Sequence, residues 1–206
     1  ALVVSALWLG TRVDPWLGAL LALLVWVWVT GALHLDGLCD LADALGAAHG
    51  DRSRLLKVLE DPHVGAFGVV ALGLQLLSKL VLLMLAAKFA LYWPVILVPA
   101  WARLGTLVWA RLPALKSGLG ASLNATERER FGWQIPGWPV LLWGALLLPA
   151  GVVFPGLLVA PVLILAWRAF LLRRLGGMTG DALGAGVEWL ESGLLLVLAL
   201  SVWFSF

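Results

Sequence analysis

Long apolar runs separated by short polar stretches fill this sequence. Pro15–Leu33 is an uncharged run of 19 residues, and Val64–Ala87 and Phe89–Ala110 each carry a single charge. A helix needs about 20 residues to cross the hydrocarbon of a membrane, so each run predicts one span. Trp133–Trp167 is too long for one crossing, and the turn signal Phe154-Pro155-Gly156 near its middle predicts two further spans.

The two ends of the chain are also apolar. The last run, Ala182–Phe206, has its two acids, Glu188 and Glu191, near its start, and the chain opens with the apolar run Ala1–Gly10. The pattern therefore predicts an all-α fold, a polytopic membrane bundle of about six to seven transmembrane helices in one domain over residues 1–206.

Three charged loops separate these runs, namely Asp36–His63, Arg111–Arg130 and Arg168–Asp181. Each neighbouring pair of loops is separated by two spans, so all three face the same side of the membrane. They hold ten of the 14 Lys and Arg residues. By the positive-inside rule we expect that side to be the cytoplasm and the protein to be a multi-pass component of the cell (inner) membrane.

Composition supports a membrane protein and excludes other classes. The chain is 62% hydrophobic and 13% charged, with a mean hydropathy of +1.00, whereas a soluble domain is about one quarter charged. A net charge of +2 without basic residues interleaved with aromatics does not predict nucleic-acid binding. Cys39 is the only cysteine, so the chain has no internal disulfide.

The first charged loop carries three aspartates at helical spacing. Asp36, Asp40 and Asp43 are four and three residues apart, which places their carboxylates within an arc of about 60° on one helix face. No Lys or Arg lies between Asp36 and Asp43 to offset their repulsion, and the nearest downstream cation is Arg52. A hard divalent ion, Mg²⁺ or Mn²⁺, is the economical counter-charge. The alternative is an amphipathic helix with a solvated polar face.

Two further segments place acids beside glycines. Asp61 precedes Gly65 and Gly68 at the entry to a span, where small residues let a backbone or a phosphate approach closely. At the far end of the chain, a glycine turn precedes Asp181, and Glu188 shares its helix face. The alternatives are an Asp-Pro turn for the first segment and close helix packing for both.

Two cations lie inside apolar runs. Lys79 and Arg103 would each cost about 2.5 to 3.5 kcal/mol at the centre of a membrane, so such residues usually mark a functional site or an internal ion pair. They could neutralise a substrate phosphate or the aspartates, or they could snorkel to an interface. Aspartates without an evident protein nucleophile, beside glycines and isolated cations, favour metal-assisted phosphoryl transfer.

These segments, in this order, resemble the adenosylcobinamide-GDP ribazoletransferase family, the cobalamin synthases, which attach the lower nucleotide loop of cobalamin at a membrane. The resemblance covers nearly the whole chain and rests on six motifs: Gly31–Leu45, Asp61–Gly68, Leu76–Lys79, Pro99–Arg103, Gly118–Gly120 and Gly176–Glu188. His63 departs from the family, where an arginine is usual. We also expect this chain to lack an N-terminal segment that the family carries ahead of Ala1.

The resemblance implies a single transmembrane catalytic domain and a specific reaction. A ribose hydroxyl of α-ribazole, or of its 5′-phosphate, attacks the cobinamide-linked phosphorus of adenosylcobinamide-GDP and releases GMP. The implied catalytic residues are Asp36, Asp40, Asp43, Asp61 and Asp181, of which the first four hold Mg²⁺ on the pyrophosphate, with Mn²⁺ as the alternative ion. The implied substrate-binding residues are His34, Gly65, Gly68, Lys79, Arg103, Gly118, Gly120, Thr179, Gly180 and Glu188.

Two other functions stay open from the residues alone. CDP-alcohol phosphotransferases also place spaced aspartates after an Asp-Gly pair at a membrane face, although this chain lacks their Ala-Arg step. An ion-coupled transporter could use Asp36, Asp40 and Lys79 along its pathway, although it predicts acids deep in several spans. The lipid bilayer is the expected partner in each case, and a homo-oligomer is left open.

Overall fold

The computed structural model describes residues 1–61, 63–115 and 138–203. Within these ranges the chain is helical, with a single β-bridge between Ala114 and Met178. The helices are α1 Leu2–Thr11, α2 Pro15–Thr30, α3 Leu33–Ala48, α4 Arg52–Val58, α5 Ala66–Lys88, α6 Tyr92–Trp109, α7 Trp138–Val153, a 3₁₀ helix Pro155–Val159, α8 Ala160–Arg174 and α9 Gly180–Trp203.

The predicted all-α membrane fold is confirmed. In the described ranges three segments are long and apolar enough to cross a membrane: Ala66–Lys88, Pro155–Arg174 and Gly180–Val202. A fourth is obtained if α2 and α3, which meet at a bend of 85°, are counted as one broken span. The sequence count of six to seven also included shorter apolar helices, among them α1, which has ten residues.

Local sequence signals set the ends of α2. The Asp14 carboxylate accepts a hydrogen bond from the Trp16 amide at 2.8 Å, and Pro15 occupies the first helical position, where its missing N–H costs nothing. Gly31 ends the helix in the left-handed conformation, with φ of +59°. Ala32 follows with a positive φ of its own, and the chain turns sharply into α3.

Helix α9 lies at the centre of the bundle and contacts α3, α5, α6 and α8. Gly186 lets two indole rings approach it closely, and one of them, Trp167, donates from Nε1 to the Ala182 carbonyl at 3.2 Å. Helix α5, by contrast, exposes Val69, Leu74 and Leu77 at about 60% each, as expected for a face in contact with lipid.

The described parts of the three charged loops meet at one end of the bundle. The Met178 amide donates to the Pro113 carbonyl at 2.9 Å, and the Leu115 amide donates to the Met178 carbonyl at 3.0 Å, which joins the second loop to the third. The guanidinium of Arg52, from the first loop, lies over Gly176 in the third. The candidate residues of distant segments therefore share one end of the molecule.

Candidate active site

Two of the predicted aspartates lie where α3 meets the beginning of α9. Asp36 is exposed and Asp40 is half-buried, one helical turn further along α3. Between them, Gly37 packs so tightly on α9 that a Cβ at this position would lie 2.6 Å from the carbonyl oxygen of Asp181. The glycine is what brings Asp181 of the last helix to the aspartates of α3.

Asp43 is positioned differently from the other two. Its side chain is 8% exposed and accepts hydrogen bonds from the backbone amides of Gly65, at 2.7 Å, and Gly68, at 2.9 Å. These amides belong to the first turn of α5, whose N-cap residue has no side-chain cap of its own. Asp43 therefore caps α5 from α3, a favourable place for a carboxylate because the helix N-terminus is electropositive.

The two glycines are required by this contact. A Cβ on Gly65 or on Gly68 would collide with the Asp43 carboxylate. We expected these glycines to allow close approach of a phosphate, and what approaches them in this structure is the carboxylate of Asp43.

Asp61 lies on the surface with His63 as its partner. Its Oδ1 accepts from the His63 amide at 3.0 Å and lies 2.6 Å from His63 Nδ1. Hydrogen bonding from the His63 side chain, and then from its amide, lowers the pKa of the Asp61 carboxyl. The carboxylate is thus held ionised at an exposed position, as a group that binds a metal cation needs to be.

The four predicted metal ligands do not form one cluster. Among the residues that the structure describes, no three His, Cys, Asp or Glu side chains are placed to hold a metal ion together. Asp43 departs from the predicted set for a physical reason, because both of its oxygens are hydrogen-bonded to α5. Asp36, Asp40 and Asp61 are carboxylates of the kind that bind Mg²⁺, and for them the prediction stays open. Substrate phosphates commonly supply the remaining ligands in such sites.

The glycine turn before α9 serves mainly to start that helix. Thr179 is 2% exposed, and its Oγ1 accepts a hydrogen bond from the Ala182 amide at 3.1 Å, which caps α9. Gly180 has open space around its Cα. Gly184 lies against the backbone of His34 at the beginning of α3, so this part of α9 is also a packing surface.

Four charged side chains form a network in the bundle interior. Lys79 Nζ lies 2.7 Å from Glu188 Oε2 and 2.8 Å from Glu191 Oε2. Arg103 Nη1 lies 3.2 Å from the other carboxylate oxygen of Glu191. Gln75 donates to Glu188 Oε2 at 2.8 Å. Two cations and two anions compensate each other here, as charges buried in a membrane bundle require.

This network changes the expectation for Lys79 and Glu188, which we placed at the substrate. Their side chains are 3% and 2% exposed and are enclosed by the bundle, so a phosphate could reach them only if the ion pairs opened. Arg103 differs, because 41% of its side chain is exposed. It is the charged member of the network with a large exposed fraction, and its predicted phosphate contact stays a prediction.

Sequence reasoning missed Glu191 and Gln75 as partners in this network. Glu191 follows Glu188 by three residues, which places both acids on one face of α9. The sequence did contain a signal for this network. Glu188 and Glu191 lie within one apolar run and Lys79 and Arg103 within two others, and charges inside spans usually pair with each other.

His34 lies near this network, but its Nδ1 forms no hydrogen bond with it. Its Nδ1 is buried and has no hydrogen-bond partner within the described residues. An unpartnered ring nitrogen at the first turn of α3 is consistent with the predicted substrate contact of His34, since buried polar atoms are usually satisfied.

A cavity of about 700 Å³ opens between α2, α3 and α5 next to the aspartates. Asp36 is the only charged residue among the described residues that line it, and the remainder of that wall is almost entirely apolar. Its size lies within the range of small-molecule sites. The lining residues are Leu23, Leu24, Val27, Trp28, Ala32, Leu35, Asp36, Cys39, Val64, Leu72 and Leu76. Gly118 and Gly120, also predicted to bind substrate, lie outside the described residues.

Comparison with known proteins points to one family. The profile of the cobalamin-5-phosphate synthase family matches residues 1–199. An adenosylcobinamide-GDP ribazoletransferase of Laribacter hongkongensis is 56% identical over 182 residues, covering 87% of this chain and 71% of the relative. Proteins of the same name from Novosphingobium aromaticivorans and Thiobacillus denitrificans are 53% and 48% identical, each over 98% of this chain and 79% of the relative. No solved structure matches the chain.

Proposed function

This chain is a member of the cobalamin-5-phosphate synthase family, and on that premise we propose that it joins adenosylcobinamide-GDP to α-ribazole and releases GMP. The acceptor is α-ribazole or its 5′-phosphate. The named relatives, at 48% to 56% identity, support this substrate pair.

One observation supports the proposal most directly. Asp36 lies both at the junction of α3 with α9 and on the wall of the apolar cavity. A boundary between carboxylates and an apolar cavity suits a reaction whose partners are a charged pyrophosphate and a nucleoside with an apolar base. The benzimidazole base of α-ribazole would occupy the cavity, with its ribose directed towards Asp36.

In the proposed reaction an acceptor hydroxyl oxygen forms a bond to the cobinamide-linked phosphorus. The bond between that phosphorus and the bridging oxygen of the pyrophosphate breaks, and GMP leaves with that oxygen and its electron pair. The hydroxyl proton passes to solvent or to a carboxylate. Asp181, held against Gly37 in the first turn of α9, is the carboxylate assigned to orient the acceptor hydroxyl.

The proposed cofactor is Mg²⁺, with Mn²⁺ as the alternative. When bound, it supplies polarisation of the phosphoryl oxygens and stabilises the leaving phosphate. Mg²⁺ is usually held by one or two carboxylates together with substrate phosphates, so a preassembled cage of protein ligands is not needed. Asp36 and Asp40, one turn apart, are the assigned ligands, with Asp61 as the third candidate, and Asp43 is left to cap α5.

The reaction is proposed to take place at the cytoplasmic face of the cell membrane. The three charged loops, which carry ten of the 14 basic residues, support that orientation by the positive-inside rule. Both substrates are then available from the cytoplasm.

The experiment is to incubate the purified protein with adenosylcobinamide-GDP, α-ribazole and Mg²⁺ and to follow GMP by chromatography. We expect GMP and a corrinoid product of matching mass in equal amounts. Parallel reactions contain α-ribazole 5′-phosphate as the acceptor, a chelator in place of Mg²⁺, or a CDP-alcohol in place of adenosylcobinamide-GDP.

The parallel reactions separate the parts of the proposal. Loss of turnover with the chelator, restored by Mg²⁺ or Mn²⁺, supports the cofactor. Absence of GMP with both acceptors would refute the substrate pair, and release of CMP from a CDP-alcohol would assign the site to the other class of transferase.

A further inference from the structure

A second pocket, of about 360 Å³, lies at the same end of the bundle as the aspartates but away from them. It is formed where α3 ends, where α4 begins and where α8 ends. Its nearest lining residue on α3, Leu45, lies five residues beyond Asp40, which is about 7.5 Å along the helix. No role in the proposed chemistry uses this pocket.

Three arginines line the pocket. Arg52 begins α4, and Arg173 and Arg174 form the last turn of α8. All three are exposed, and none of them forms an ion pair within the described part of the chain. Guanidinium groups held together without anionic partners repel one another, and they match the oxygens of a phosphate in geometry and charge.

The acid on the pocket wall is already engaged. Asp51 caps α4, accepting from the Ser53 amide at 2.8 Å and from the Ser53 hydroxyl at 2.8 Å. These hydrogen bonds, the side-chain one first, lower the pKa of the Asp51 carboxyl and keep it ionised. One aspartate facing three arginines leaves the pocket with a net positive charge.

Arg52 lies against the turn that precedes α9. Its guanidinium lies directly over Gly176, at a position where any side chain would collide with it. Gly176 also has a φ of +77°, a conformation that favours glycine. A glycine at this position in the turn therefore leaves room for the Arg52 guanidinium beside the pocket.

The remaining wall combines His49, which follows the end of α3, with apolar and aromatic side chains. Leu45 and Leu55 come from α3 and α4, and Phe170 comes from α8, where its ring stacks on Trp167 with 4.8 Å between centroids. The pocket volume is within the range of sites for small organic ligands. A ligand that fills it has both an anionic group and an apolar or planar part.

We propose that this pocket binds a phosphate-bearing ligand, with Arg52, Arg173 and Arg174 contacting the phosphate and Phe170 contacting the attached group. Two sources carry this chemistry, a nucleotide such as GMP and the headgroup of an anionic lipid. The nucleotide source rests on the proposed function, in which GMP is the product.

The test measures binding of both ligands without turnover. Protein in neutral detergent is titrated with GMP at low salt by equilibrium dialysis, and retention of phosphatidylglycerol is measured by native mass spectrometry. Arg52→Gln and Arg173→Gln remove pocket charges. Arg54→Gln and Arg168→Gln, on the same two helices but outside the pocket lining, are the matched controls.

The proposal predicts that affinity for one of the two ligands falls about tenfold in each pocket variant, because each substitution removes a charge-assisted hydrogen bond to the phosphate. The controls stay close to the unmodified protein. Arg173→Lys, which keeps the charge, retains more affinity than Arg173→Gln. Should Arg52→Gln fold poorly because of its contact with Gly176, the Arg173 variants carry the test.

The outcomes are distinct. A selective loss of GMP binding identifies a nucleotide site, and a selective loss of phosphatidylglycerol identifies a headgroup site. If both affinities are unchanged in Arg173→Gln, or fall equally in Arg168→Gln, the proposal is wrong. Because binding is measured without acceptor, a protein that binds GMP here but releases none from adenosylcobinamide-GDP would refute the proposed function and leave this site standing.

Discussion

At the scale of single residues, the carboxylates of α3 divide into two kinds. Asp43 is buried, and both of its carboxylate oxygens accept hydrogen bonds from amides at the start of α5. Asp36, by contrast, is exposed beside a cavity. The helical spacing of the aspartates could be predicted from the sequence. Their division could not, because it depends on Gly65 and Gly68, which are more than 20 residues away along the chain.

The capping role of Asp43 predicts a stability effect. Asp43→Ala leaves two amides of the first turn of α5 without this acceptor, and each hydrogen bond to a charged group contributes about 1.5 to 3 kcal/mol. We expect a lower free energy of unfolding in detergent, measured by chemical denaturation. Asp36→Ala, on the same helix, is the control and should unfold like the unmodified protein. Equal stability of the two variants would exclude the cap.

The buried network predicts a second stability effect. Lys79→Met leaves Glu188 and Glu191 enclosed with less compensation, and breaking a buried pair costs about 3 to 5 kcal/mol. The matched control is Lys88→Met, at the exposed end of the same helix.

A double variant tests the coupling in this network. Lys79→Met combined with Glu191→Gln should lose less stability than the sum of the two single changes, because the second removes a charge that the first leaves unpaired. Additive losses in the unfolding measurement would show that the ion pair contributes nothing.

At the scale of helices, the arrangement of the site depends on one close helix contact and one sharp turn of the chain. Gly37 brings α3 onto the start of α9, and the chain turns by 85° between α2 and α3. The sequence predicted a span over Pro15–Leu33, whereas α2 ends at Thr30 and Gly31 follows it. It could not predict the sharp turn, since the next residue, Ala32, also has a positive φ and alanine is not a signal for that conformation.

The contact at Gly37 predicts the effect of a single methyl group. Gly37→Ala should separate α3 from α9 and cost about 1 to 3 kcal/mol through overpacking, with loss of GMP release. Gly73→Ala, on α5, has open space around it and should be neutral or stabilising by up to about 1 kcal/mol. Thermal unfolding and turnover are measured for both. A stable, active Gly37→Ala protein would contradict the packing.

At the scale of the whole molecule, three segments that are distant in the sequence share one end of the bundle. Runs of apolar residues and the positions of the charges were sufficient to predict this grouping. They were not sufficient to predict which helix is central, because α9 and α5 have similar lengths and apolar composition, while most of the α9 span but only a minor part of the α5 span is buried in the bundle.

The orientation in the membrane is testable with cysteines. Cys39 is buried, so a new surface cysteine can be labelled selectively. Arg54→Cys, at the end with the charged loops, should react with a membrane-impermeant maleimide only after the membrane is opened. Lys88→Cys, at the opposite end of α5, should react in intact cells. The reverse pattern would place the site outside the cytoplasm.

The central claim is that Asp36 acts in the reaction and not in the fold. The most direct measurement is the rate of GMP release from adenosylcobinamide-GDP by Asp36→Asn, compared with Asp14→Asn, whose carboxylate caps α2. We predict a loss of at least about 100-fold for Asp36→Asn, as expected when a ligand of the ion that would stabilise the transferring phosphoryl charge is removed, with an unchanged unfolding midpoint. Full turnover by Asp36→Asn, with its fold intact, would contradict the account.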